Sequence, residues 1–403
     1  MKYIILIGDG MADYPVEELG GKTPLEVADL RNLNRIAQIG KLGMVRTIPK
    51  GFTPGSDIAN LSILGYDPQK YYTGRAPLEA ASIGLQLKKE DLAFRCNLVT
   101  LTVKDGDTYV DDFSAGHIST KEAVEIINEI DHKLGNENIR FFPGISYRHI
   151  MVLKDGNESL KTTPPHDITN KIISPYMPEG KGKEQIIQMM NDSKAILDNH
   201  YINKMRTKDS RKPANSIWLW GQGRAPNMPT LMKRYGIRGS VISAVDLIKG
   251  IGIYAGLEVI DVPGATGYLD TNYHGKAKYA LRELEDKDFV YVHVEAPDEA
   301  AHSGDLENKI KAIERFDNEV IGTVLDGISK FHEYQIMVLP DHSTPLKLMT
   351  HSCDPVPFVV FSSNDKGSIP SKDTGFNEKS AKKSCISIED GHKLLSFFLQ
   401  GKV

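Results

Sequence analysis

Residues 3–7 read YIILI and are followed at once by Gly8-Asp9-Gly10. A short, continuously apolar run of this kind suits a strand buried on both faces, and the Gly-Asp-Gly that follows it reads as a turn. Residues 24–41 then carry Leu25, Leu30, Leu33, Ile36, Ala37 and Ile39 at helical spacing, ending at Gly40. Strand, turn and helix in that order open an α/β sheet. The pattern recurs along the chain. Residues 216–220 (SIWLW) precede a Gly-Gln-Gly turn, 289–294 (FVYVHV) precede APDEAAH, and 335–339 (QIMVL) precede Pro-Asp-His. Residues 357–361 (PFVVF) give one more strand, and the spacing of Ile310, Ile313, Phe316, Val320 and Val324 predicts a helix over 309–325.

The middle of the chain follows a different rhythm. Residues 98–103 (LVTLTV) run into an Asp-Gly-Asp turn, a polar helical stretch covers about 119–134, and 181–212 is rich in lysine and asparagine. Pro-Pro and Lys-Asp-Gly punctuation supports an α+β unit inserted into the α/β core. The expected division is a core of 1–88 and 213–403, with 89–212 as the insert. A chain of 403 residues is long enough for two domains.

Composition narrows the class. With 40% hydrophobic and 25% charged residues the chain reads as an ordinary globular protein, and a net charge of −4 gives no footprint for nucleic acid or an anionic membrane. Cys96, Cys353 and Cys385 are scattered and form no Cys-x-x-Cys pair, which fits a reducing cytoplasm. The apolar run at the start is too short for a secretory or membrane-spanning segment. Neither a phosphate-binding GxxxxGK[ST] loop, a GxGxxG turn after a strand, an HExxH helix nor an EF-hand loop occurs.

Three strand ends carry groups suited to divalent cations. Asp9 follows the first strand, Asp298 and His302 follow FVYVHV, and Asp341 and His342 follow QIMVL, with His351 nine residues further on. One such Asp alone is an ordinary turn or capping residue. Three strand ends equipped alike point to metal. Asp298 and His302, at i and i+4, share one helix face, whereas the adjacent Asp341 and His342 diverge. Six ligands suffice for two ions, the arrangement that clamps attacking and leaving oxygens in phosphoryl transfer. Ser56, in TPGSDIAN, opens a helix carrying Ile58, Leu61, Ile63 and Leu64. By itself it reads as a cap; beside a cation its hydroxyl becomes a nucleophile.

GDGMAD at 8–13, PGSDIANLSILGYDP at 54–68, YYTGRAPLEAAS at 71–82, HVEAPDEAAHSGD at 293–305 and LPDHST at 339–344 together resemble the cofactor-independent phosphoglycerate mutases of the archaeal type, within the alkaline phosphatase superfamily. The resemblance runs along nearly the whole chain. It implies a doubly wound, alkaline phosphatase-like α/β core, with the insert covering the active site. It also implies two divalent metal ions (manganese, zinc or magnesium), no 2,3-bisphosphoglycerate, and a small phosphorylated substrate. On that likeness Ser56 is the phosphorylated nucleophile, sharing one metal with Asp9, Asp341 and His342, while Asp298, His302 and His351 hold the other. Substrate contacts are expected from Arg75, Arg148, His166, Asp167 and Arg224, with Lys249 on the transferring phosphate. GRAPLEAAS also resembles a branch of the family proposed to phosphorylate homoserine, which offers a second acceptor on the same core. A plain hydrolase and a metal-stabilised binding protein are the remaining readings. The sequence leaves the resident metal and the oligomeric state open.

Overall fold

The computed structural model describes residues 1–365 and 374–400. The chain divides into two compact units, Met1–Tyr72 with Asn227–Val403, and Thr73–Pro226.

The first unit is built on an eight-stranded sheet. Its strands run in the order Ser387–Ile388, Lys41–Val45, Val356–Ser362, Tyr334–Leu339, Lys2–Gly8, Phe289–Val294, Gly239–Ile242, Glu258–Val259. From Tyr334–Leu339 to Glu258–Val259 every pairing is parallel; Val356–Ser362 runs antiparallel to both of its neighbours. Ile4, Ile5, Leu6 and Ile7 are all fully buried, so both faces of the first strand are covered, as its unbroken apolar run requires. Ile4 and Leu6 join a core with Leu33 and Ile36 of the helix Arg31–Ile39, Ala277 and Leu284 of Tyr273–Asp286, and Phe316, Val320 and Val324.

The helix expected over 24–41 is broken. One turn, Pro24–Val27, is closed by a Thr23–Glu26 capping box, and Ala28 is extended. The chain restarts at Arg31–Ile39, where the carboxylate of Asp317 accepts the backbone N–H of Asn32 at 3.1 Å and of Leu33 at 2.6 Å. A cap supplied from 285 residues away in sequence leaves no local trace. The helix expected over 309–325 is part of a longer helical run, Leu306–Arg315 and Gly322–Ile328, joined by a π-helical stretch Phe316–Ile321 that carries Asp317.

In the second unit the 14-residue strand Asp91–Lys104 pairs antiparallel with three others, Asp107–Asp112, Arg148–Lys154 and Ser216–Gly223; Ile139–Phe142 pairs with Arg148–Lys154. The helices Thr120–Leu134 and Lys183–Leu197 bury Ile126, Ile127, Ile130, Ile186 and Met190 in its core. The unit is wider than the expected 89–212. The strand at 216–223, expected in the α/β core, belongs here through its pairing with Asp91–Lys104. The helix Arg75–Ser82 belongs here because Ala76 and Ala80 pack on Ala93 and Ile150.

His149 lies in this unit, 2% exposed, its Nδ1 accepting the Gly144 N–H at 3.0 Å. Burial, aided by the Arg148 charge, pulls its pKa down to about 3. The unfolded imidazole titrates near ~6.5, so as pH falls below that value the unfolded chain takes up a proton that the folded chain refuses. Stability from this group is therefore complete above ~6.5 and is lost as pH drops toward 3. Between pH 6.5 and 5 the wild type should lose about 1.5 kcal/mol more than His149→Asn. Denaturant unfolding followed by tryptophan fluorescence tests this, since Trp218 and Trp220, the chain's two tryptophans, both lie in this unit. Parallel pH slopes in the two proteins would refute it.

Candidate active site

Because Tyr334–Leu339, Lys2–Gly8 and Phe289–Val294 are adjacent and parallel, their carboxyl ends fall on one edge of the sheet. Asp341 and His342, Asp9, and the helix Ala296–His302 therefore begin side by side. Asp9, Asp298, Asp341 and His342 are all buried. Ser56 is the first residue of the helix Ser56–Ile63 and puts its Oγ 3.0 Å from His342 Nε2. One turn further on, Asn60 donates from Nδ2 to Ser56 O and to Asp341 Oδ2, both at 2.8 Å, and accepts the Tyr291 hydroxyl.

The seven residues expected to hold two ions do converge. His342 Nε2 is 3.4 Å from Asp9 Oδ1 and 3.5 Å from Asp341 Oδ2, alongside Ser56. His302 Nε2 is 3.1 Å from Asp298 Oδ2 and 2.9 Å from His351 Nε2. His342 is not confined to the first group, because its ring lies 4.0 Å from that of His351, and Asp298, His342 and His351 form a ligand-competent cluster. A second such cluster is Asp9, His293 and Asp341. His293 was not singled out in the sequence, where it reads as one residue of an alternating strand; its spacing of two before Glu295 was the only signal.

The hydrogen bonds around the imidazoles fix their tautomers. Thr344 Oγ1 donates to Asp298 Oδ1 and so receives the His342 Nδ1–H, at 3.1 Å. His302 Nδ1–H donates to the Met349 carbonyl at 3.0 Å. Both rings thus turn Nε2 inward. His302 and His351 then face each other Nε2 to Nε2 at 2.9 Å, a contact that requires a proton or a cation between them. Asp9 Oδ1 and His293 Nε2 are buried without a hydrogen-bond partner among the described residues. Orphaned acceptors on carboxylates and Nδ1-tethered imidazoles fit a divalent cation.

The protein's own charges are strained without one. Burial, then the neighbouring Asp341 and Asp298, push the Asp9 carboxyl well up. Burial also acts to raise Asp298 and Asp341. It is outweighed at Asp298 by hydrogen bonds from His302 and His351, and at Asp341 by His342 and His293, so both are held low. The Asp298 contact raises His302 to about 9, while burial brings His342 down to about 4.

The expected substrate contacts divide. In the second unit, Arg75 and Arg95 both face the Trp220 ring, at 5.9 and 4.2 Å, and the His166 ring lies 5.3 Å from it. Arg95, absent from the expected set, is buried and paired with Glu79 at 2.9 Å; burial, with Arg75 and Arg148 nearby, draws it down to about 10. Asp167 contacts His166 at 3.7 Å. Arg224 instead pairs with Glu158 and donates to the Gly156 and Lys89 carbonyls, an anchoring role for those loops. Lys249, in the first unit, is held by Asp261 at 2.7 Å.

A mainly parallel sheet buried on both faces, with ionisable side chains gathered at its strand ends, is the plan of an α/β enzyme. A family model described as 2,3-bisphosphoglycerate-independent phosphoglycerate mutase matches residues 37–203. A Geobacter sulfurreducens protein named as a probable enzyme of that description is 50% identical over 399 residues, spanning 99% of this chain and 100% of its own. A Methanosarcina mazei protein bearing the same name is 50% identical over 404 residues, with 99% and 100% covered. The solved structure of the PH0037 protein from Pyrococcus horikoshii is 32% identical, superposes with a TM-score of 0.83, and covers 99% of this chain and 96% of its own. The chain belongs to the 2,3-bisphosphoglycerate-independent phosphoglycerate mutase family. No helix among the described residues is long and apolar enough to cross a membrane.

Gly10 shows how tightly the strand ends meet. Its φ is +63°, and a Cβ there would lie 2.5 Å from Asp298 Oδ1 and 2.6 Å from Thr344 Oγ1. Gly10→Ala should fold, with about 1–2 kcal/mol lost to the left-handed backbone alone. Displacement of Asp298 should weaken divalent-cation binding, probed with manganese, at least tenfold by titration calorimetry. Wild-type affinity in the variant would show that the close approach is not needed.

Proposed function

We propose that this chain interconverts 3-phosphoglycerate and 2-phosphoglycerate through a phosphoserine at Ser56, with two divalent cations at the strand-end clusters. The observation that carries this reading is the half-buried Ser56 Oγ, 3.0 Å from His342 Nε2, which itself stands 3.4 Å from Asp9 and 3.5 Å from Asp341. The relatives' names supply the substrate, and the family's name states independence from 2,3-bisphosphoglycerate. Carboxylate and imidazole donors suit manganese, zinc and magnesium. Bound there, the cations would lower the pKa of the serine hydroxyl and neutralise the phosphoryl oxygens.

In the first half-reaction Ser56 Oγ bonds to phosphorus as the bond to the substrate's 3-oxygen breaks. The proton lost from Ser56 is balanced by the one gained at the 3-oxygen. In the second, the 2-hydroxyl of glycerate takes the phosphoryl group, and Ser56 recovers its proton. Asn60, bonded to both Ser56 O and Asp341, holds nucleophile and carboxylate in fixed relation. In the second unit, Arg75 and Arg95 face the Trp220 ring, with Arg95 paired to Glu79 and close to Arg148, so three guanidinium groups gather there. We assign recognition of the substrate's carboxylate to these arginines, with His166 and Asp167 beside Trp220.

The test is a coupled assay. Metal-stripped protein restored with manganese and given 3-phosphoglycerate and enolase should generate phosphoenolpyruvate absorbance. Ser56→Ala should lose several orders of magnitude in kcat. A folded, manganese-loaded wild type without turnover would overturn the mutase reading, and turnover retained in Ser56→Ala would overturn the phosphoserine.

A further inference from the structure

His293 and Glu295 stand two apart along one strand and its continuation, so their side chains share a face. Both are buried, as is Lys276. Glu295 Oε1 accepts from Ser243 Oγ at 2.8 Å and Ala244 N at 2.9 Å, and lies 3.2 Å from His293 Nδ1. Its other oxygen takes the Lys276 ammonium at 2.7 Å, and the same ammonium donates to the His293 carbonyl at 2.9 Å. Lys276 therefore neutralises Glu295. A carboxylate in this state only accepts, so Nδ1 carries a hydrogen and Nε2 is the nitrogen that faces Asp9 and Asp341.

His293 Nε2 has no hydrogen-bond partner among the described residues. It lies 3.4 Å from Asp9 Oδ2 and 3.7 Å from Asp341 Oδ2, both outside good hydrogen-bond length. Ligands held about 2.0–2.2 Å from one cation stand roughly 3.0–3.6 Å apart around it, which is close to these separations and to the 3.4 and 3.5 Å of His342. The charges agree as well. When both are ionised, Asp9 and Asp341 match the charge of one divalent cation.

We propose that His293 Nε2 is itself a ligand of the cation held by Asp9 and Asp341, and that Glu295 and Lys276 are positioning residues that fix its ring. This rests on the two-cation reading above. The first site then takes Asp9, His293, Asp341, His342 and Ser56, and carries two imidazoles rather than one. A carboxylate behind a ligating imidazole sets its tautomer and strengthens it as a donor.

The experiment is metal titration of the full chain with manganese, followed by cobalt. Wild type should bind two equivalents. His293→Gln should keep one tight site and weaken the other on the order of 100-fold, and Glu295→Gln should weaken the same site about 10-fold. Two equivalents of unchanged affinity in His293→Gln would overturn the proposal while leaving the two-cation reading intact. A wild type that binds neither metal would overturn both. Should His293→Gln not fold, the cobalt-loaded wild type decides through its hyperfine-shifted imidazole N–H signals. Resonances from His293, His302, His342 and His351 support the proposal, and resonances from the last three alone overturn it.

Discussion

Asp9 and Asp341 close two neighbouring parallel strands, and the repulsion between their buried carboxylates sets the terms for the groups around them. Two like charges at this range cannot both stay ionised in a dry setting without positive charge close by. The chain meets this with imidazoles turned inward, whose facing nitrogens can carry a proton or bind a cation. It also satisfies the outer faces of Asp341. Oδ1 accepts the His342 and Gly10 N–H groups, Oδ2 accepts Asn60, and the carbonyl accepts Thr47 Oγ1. Among the described residues, what stays unsatisfied here is the inner surface, on Asp9 Oδ1 and His293 Nε2.

A second constraint is that the loops bearing these groups must hold still. Lys309, fully buried, donates to Asp13 Oδ2 at 2.7 Å, to the Thr344 carbonyl at 2.9 Å and to the Ala12 carbonyl at 3.4 Å. One ammonium thus pins the loop after the first strand to the loop after Tyr334–Leu339. Thr344 carries the link onward, since its hydroxyl joins His342 to Asp298 and so couples the two clusters. Removing either bond would leave a buried polar group uncompensated, a cost larger than the net gain of a surface hydrogen bond.

Much of the α/β core was legible because its signals are local. Unbroken apolar runs at 3–7, 335–339 and 357–361 became strands of nearly those lengths, and the alternating FVYVHV became Phe289–Val294. The failures came where a distant partner decided. Nothing in SIWLW states which sheet it joins; it pairs with a strand more than a hundred residues earlier, and the unit boundary moved with it. The helix at 24–41 split where the Asp317 carboxylate starts it afresh.

For the site, the sequence by itself determined which ligand types stand at which strand ends, and that Asp298 and His302 share a helix face. Those facts follow from strand and helix periodicity, which is local geometry. Only the tertiary structure decided which imidazole faces which carboxylate. His293 joined Asp9 and Asp341, and His342 came to lie between the clusters, because parallel register brings residues from 48 (His293, Asp341) to 333 (Asp9, His342) positions apart within 3–4 Å. A hydrogen bond or a coordination bond is won or lost over a few tenths of an ångström, and spacing along a chain carries no information at that scale.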